Sequence, residues 1–123
     1  MNPVPGKVVA RFGEKRTVSG KTDRWQGTVF SVTRDEGVHA VRDGKVVFAD
    51  YLRGYGNLII LDHGAGYFTV YGNNATLEKD IGDRVKVGDV ISRAGKNEGA
   101  VSVLYFELRH NGKPIDPTGW LNI

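Results

Sequence analysis

The chain has 123 residues, 40% hydrophobic and 25% charged, a size that fills one globular core and excludes a second. It contains no cysteine, which excludes a disulfide framework and a thiolate metal site. Lysine and arginine outnumber aspartate and glutamate by 17 to 14 but are scattered along the chain instead of forming a stripe, which argues against nucleic acid and suits an acidic partner or an anionic cell-wall polymer better.

Seventeen glycines against four prolines, and no helical periodicity beyond one or two turns, predict a nearly all-β fold of short strands and tight turns. The opening MNPVPG has the look of a cut at a domain boundary, and a short strand follows over Lys7 to Arg11. Residues 15–24 (KRTVSGKTDR) are polar and are read as a flexible surface loop. In WQGTVFSV the alternation puts Trp25, Gly27 and Val29 on one face. DEGVHAVRDGKVVFADY reads as a hairpin turning at Asp43-Gly44. After LRGYG comes NLIILDH, an apolar strand expected to be buried on both faces. YFTVYGN then places Tyr67, Thr69, Tyr71 and Asn73 on one side and Phe68 and Val70 on the other, and the second side is taken as core. ATLEKDIGD is assigned one helical turn. RVKVGDVISRAG reads as a second hairpin around Gly88-Asp89, echoing the first, and two such units suggest a barrel-like antiparallel sheet. GKNEGA (95–100) is expected to be a mobile loop, and HNGKPIDPTGWLNI closes the chain. No apolar run is long enough to span a membrane.

The segment VLYFELR (103–109) is the most informative. Leu104, Phe106 and Leu108 form an apolar, core-facing set, whereas Val103, Tyr105, Glu107 and Arg109 share the other face, where a solvated strand would carry Lys, Thr and Glu. The three histidines stand at no metal-binding spacing from one another. His39 and His110 are read as solvated surface side chains, and His63 as a structural hydrogen-bonding residue at a strand end.

Three segments in the same order, GYGNLIILDHGAGYFTVYGN, IGDRVKVGDVISRAG and LYFELRHNGKPIDPTGWL, resemble the LytM or lysostaphin-type zinc metallopeptidase domain, whose members cleave peptidoglycan cross-links. The resemblance spans Phe12 to Leu121 and implies a mainly β, peptidase-like antiparallel sheet with little or no helix, forming one domain over residues 1–123. Active members hold zinc with the His and Asp of an H-x-x-x-D stretch and the second His of H-x-H, assisted by the first His of H-x-H and by a Y-x-H segment. Here H-x-x-x-D falls on Trp25 to Val29, Y-x-H on Tyr71-Gly72-Asn73 and H-x-H on Val103-Leu104-Tyr105. Indole, isopropyl and a neutral phenol do not replace imidazole and carboxylate, so no metal, no cofactor and no catalytic residue is expected.

What the resemblance implies instead is a degenerate domain of the non-cleaving kind that activates cell-wall amidases by binding the helical autoinhibitory segment covering the amidase zinc site. The old catalytic groove becomes a partner-binding groove lined by Trp25, Gln26, Val29, Tyr55, Tyr71, Asn73, Val103, Tyr105 and Arg109, a Trp, Tyr and Arg composition common in binding hot spots. Tyr105 and Arg109 belong to it by strand alternation alone. The implied setting is the periplasm during cell division, with peptidoglycan as a further ligand and with a division-site membrane complex reached through regions outside this chain. The alternatives are a groove plugged by its own side chains, an active endopeptidase, and a peptidoglycan-binding module stacking Trp25, Tyr55, Tyr71 and Tyr105 on its ligand. A biotinyl or lipoyl carrier domain shares the IGDRVKVGDVISRAG hairpin, but the exposed turn lysine it needs is missing.

Overall fold

The computed structural model describes residues 1–95 and 102–123, so the expectation for GKNEGA falls, from residue 96 on, outside the described residues. In chain order the strands are β1 (Val8–Ala10), β2 (Lys15–Val18), β3 (Lys21–Arg24), β4 (Thr28–Ser31), β5 (Gly37–His39), β6 (Gly44–Leu52), β7 (Gly56–Gly64), β8 (Tyr67–Asn74), β9 (Thr76–Leu77), β10 (Arg84–Val85), β11 (Val90–Arg93), β12 (Val103–His110) and β13 (Lys113–Ile115). None of the described residues is helical. ATLEKDIGD contributes β9, held in place because Ala75 N–H donates to the Arg93 carbonyl and Glu78 N–H to that of Ile91.

The large antiparallel sheet runs β1-β4-β12-β8-β7-β6-β10, with β13 also on β12; β5, β11 and β9 make a second sheet, and β2 with β3 a separate ribbon. Phe30, Ile59, Leu61, Leu104, Phe106 and Leu108 of the large sheet meet Val38 and Ile91 of the small one in a single core. The even set of VLYFELR is therefore core, as its alternation requires. NLIILDH is buried at Leu58, Ile59 and Leu61.

The two expected hairpins do not close on themselves. β5 pairs with β11 and β6 with β10, so the two echoing segments pair with each other and pass together from the small sheet to the large one. The reason is local: Ala40 and Val41 are consecutive and both at most 2% exposed, which breaks strand alternation and turns the chain inward. Gly44 is then required by a close approach, since a Cβ there would lie 2.9 Å from His63 Nδ1. Residues 15–24, expected as a loop, are the β2–β3 ribbon, whose eight residues are all exposed.

The face assignment of YFTVYGN is inverted. β12 and β8 pair Phe106 with Tyr71, and the two rings meet edge-on at 5.4 Å, so Tyr71 lies in the core at 0% exposure instead of in the groove. A polar chain makes this burial tolerable. His63 Nδ1 is 2.7 Å from the Asp43 carbonyl, which can only accept, so this nitrogen carries the proton and Nε2 is left as the acceptor beside Thr69 Oγ1 at 2.6 Å. Thr69 Oγ1 is in turn 2.9 Å from Tyr71 Oη, which accepts the Val41 N–H at 3.2 Å. Burial pushes the Tyr71 hydroxyl up to about 12.

His39 and His110 are less solvated than expected: His39 Nδ1 is 2.9 Å from the Gly88 carbonyl, and His110 stacks on Tyr67 at 3.9 Å. Burial holds His63 below its ordinary value of 6.5, against the opposing pull of the Asp43 carbonyl. A base with a lower pKa in the folded chain takes up its proton on unfolding, so its contribution to stability is present above pH 6.5 and is lost as the pH falls below that value. Thermal unfolding scanned from about pH 7.5 to about pH 5 should show a falling Tm, with a flatter slope in His63→Gln.

Candidate functional site: an aromatic groove on the large sheet

The outer face of the large sheet is built around β12. Its register sets Tyr105 opposite Val29 on β4 and Gly72 on β8, Glu107 opposite Val70, and Arg109 opposite Phe68. A Cβ at Gly27 would lie 2.8 Å from Tyr105 Oη, so the glycine leaves the space that the phenol ring fills. Trp25 flanks that ring at 6.4 Å between centroids, and Tyr55, on the loop between β6 and β7, flanks it at 5.8 Å.

Asn73 adopts a left-handed φ of 67° and donates from Nδ2 to the Val103 carbonyl at 2.9 Å. This residue interrupts the alternation of β8, which is why Tyr71 points into the core while Asn73 joins the groove. Seven of the nine expected residues, Trp25, Gln26, Val29, Tyr55, Asn73, Val103 and Tyr105, line one cavity, joined by Arg16, Asp23 and Arg24 of the ribbon. Tyr71 is excluded by its burial. Arg109 lines an adjoining apolar trough with Val47, Leu52, Tyr55, Phe68 and Val70.

Tyr55 lines both hollows, and its hydroxyl reaches Glu107, a residue of the trough with no role expected from the sequence. The Glu107 side chain is 1% exposed and accepts three donors: Arg109 Nε at 2.6 Å on Oε1, and Tyr105 Oη at 2.5 Å and Tyr55 Oη at 3.4 Å on Oε2. Burial acts to lower the Arg109 pKa, but the Glu107 carboxylate outweighs it and holds the guanidinium above its ordinary value. The same burial and the same carboxylate push the Tyr105 hydroxyl far above 10. The signal was present as Tyr-x-Glu-x-Arg at strand spacing, three polar groups on one face able to satisfy one another.

The zinc that the peptidase resemblance implies does not fit this donor set. Tyrosine binds metals as phenolate, and the Tyr105 phenol is held protonated on Glu107, with the indole of Trp25 and the isopropyl of Val29 beside it. Among the described residues no three His, Cys, Asp or Glu are grouped to hold a metal ion. A larger cavity where the chain ends meet carries Trp120 under Arg42 at 3.8 Å, away from these residues.

Fold and groove together define a domain of the LytM or lysostaphin type. Residues 23–117 match the model of peptidase family M23, and the chain belongs to that family. It is 36% identical over 120 residues to the murein hydrolase activator EnvC of Escherichia coli, covering 97% of this chain and 28% of that protein. It is 33% identical over 120 residues to the murein hydrolase activator NlpD of the same organism, covering 97% and 30%. The chain thus spans less than a third of these relatives. Among solved structures, a zinc containing peptidase from Vibrio cholerae superposes with a TM-score of 0.82 at 27% identity, covering 94% of this chain and 37% of that one.

Arg109→Ala leaves a buried carboxylate without its cation and should lower the unfolding free energy by about 1–3 kcal/mol in urea titrations. Adding Glu107→Gln removes the orphaned charge, so the double variant should lose less than the sum of the two single losses.

Proposed function

We propose that this domain is a non-catalytic activator of peptidoglycan (N-acetylmuramoyl-L-alanine) amidases in cell division, working in the periplasm. The groove formed by Trp25, Gln26, Val29, Tyr55, Asn73, Val103 and Tyr105, with Arg109 at its far end, receives the regulatory helix of an amidase and draws it off the amidase zinc site. The observation that carries this reading is the Trp25–Tyr105–Tyr55 ring cluster, seated on a carboxylate where an active relative would need metal ligands. Its rings are half-buried, fixed in position, and of the residue types that dominate binding hot spots. The names of the two E. coli relatives, both murein hydrolase activators, support the same direction. A helix in an apolar groove is a common mode of peptide recognition, with anchors at i, i+3, i+4 and i+7. Contact with a division-site membrane complex would run through regions outside this chain.

The test is dye release from labelled peptidoglycan by a purified amidase, with and without this domain. The domain should stimulate release and liberate nothing alone. Trp25→Ala and Tyr105→Ala should each weaken binding by about 1–4 kcal/mol, lowering stimulation by about fivefold or more. Cleavage by the domain alone would contradict the proposal. Binding to sacculi with no effect on any amidase would favour a peptidoglycan-binding module.

A further inference from the structure

The β2–β3 ribbon overhangs the groove, with Arg16, Asp23 and Arg24 among the residues lining the cavity. From Arg11 to Arg24 the chain carries five basic side chains (Arg11, Lys15, Arg16, Lys21, Arg24) against Glu14 and Asp23. That surplus of three equals the net charge of the whole chain, so the rest of the molecule is neutral and the positive charge, scattered as it looks in sequence, is concentrated in this segment, whose Arg16 and Arg24 line the groove.

Both carboxylates of this segment are occupied locally: Glu14 accepts the Arg11 N–H and Asp23 the Arg24 N–H. Among the described residues the ion pairs are Arg93–Glu78 and Arg109–Glu107, so no ribbon cation is neutralised by one. Register puts Arg16 and Asp23, and Val18 and Lys21, on the same ribbon face, and the Arg16 guanidinium lies 4.2 Å from the centre of the Trp25 ring. The ribbon's four cations, Lys15, Arg16, Lys21 and Arg24, stand against one carboxylate, Asp23 opposite Arg16, and the surplus of positive charge suits an anionic ligand.

The floor excludes a ligand that is only anionic. Val29, Val103 and Tyr105 continue past Glu107 into Val70, Phe68 and Leu52. From Val103 to Arg109 the floor extends about 20 Å at strand rise, the length of about 13 residues of α-helix. Resting on the functional reading above, we propose that the β2–β3 ribbon is a charge-selecting wall and that the groove takes an acidic amphipathic helix, apolar toward β12 and carrying Asp or Glu along the edge that faces Arg16 and Lys21.

The probe is a fluorescent 14-residue synthetic helix with leucines at i, i+3, i+4 and i+7 and glutamates on both flanks, compared by polarisation with the same peptide carrying lysines in their place. The acidic peptide should bind roughly tenfold or more tighter, and the preference should fade as salt rises. Lys15→Glu/Arg16→Glu/Lys21→Glu should reverse it, and Arg16→Gln/Lys21→Gln should abolish it; these exposed positions leave the core intact. Amidase stimulation by the same variants separates this inference from the functional proposal. Equal binding of both peptides, with stimulation unaffected by the reversal, would overturn the charge-selecting wall while leaving the groove as the amidase site. Loss of stimulation in Trp25→Ala but not in the ribbon variants would do the same. If the ribbon variants lose only sacculus binding, the wall serves an anionic glycan and the acidic-helix inference is overturned.

Discussion

A carboxylate that is 1% exposed has to be paired, and the outer face of the large sheet is organised by how Glu107 is. Arg109 compensates its charge from along the same strand, and Tyr105 and Tyr55 spend their hydroxyls on its second oxygen. Each partner loses freedom in the exchange. Tyr105 is held on Glu107 through a hydroxyl whose ionisation the carboxylate opposes, Tyr55 reaches from its loop to the same oxygen, and Arg109 borders the apolar trough. An internal ion pair and two phenols occupy the centre of the face.

That arrangement has a consequence for recognition. Rings already fixed before a partner arrives lose little entropy on binding, which is the condition under which a small aromatic cluster contributes most. Gly27 belongs to the same device, because any side chain there would displace the Tyr105 ring. In the proposed complex the partner would meet a preformed apolar floor, flanked on one side by the ribbon that carries the molecule's surplus charge, with apolar contact supplying residence and charge supplying selection and rate of encounter.

Much of this was legible in the sequence, for identifiable reasons. VLYFELR declares its two faces because a strand has a period of two and its even residues are unambiguously apolar. The mainly β class followed from glycine-rich turns and the lack of helical periodicity. Tyr71 was misplaced because tyrosine and threonine suit either face, and only the hydrogen-bonded chain through His63 and Thr69 makes the core the better place for both. Glu107 was overlooked because a glutamate in a strand ordinarily marks solvent. The two hairpins were misassigned because turn residues report where a chain bends, whereas pairing across sheets is decided by burial at Ala40 and Val41. The ribbon was invisible because none of its residues is buried, so no hydrophobic pattern announced its strands.

The central claim is that the face of β12 around Tyr105 is where the amidase sits, and site-specific photocrosslinking addresses it without perturbing the Glu107 network. A benzophenone side chain placed at Val103, partly exposed on the groove floor, is compared with one at Ile81, which is 65% exposed and outside the groove. The account predicts an amidase adduct from position 103 that maps to a helical segment of the amidase, and none from position 81. An adduct from position 81 with none from position 103, in a domain that still stimulates the amidase, would contradict it.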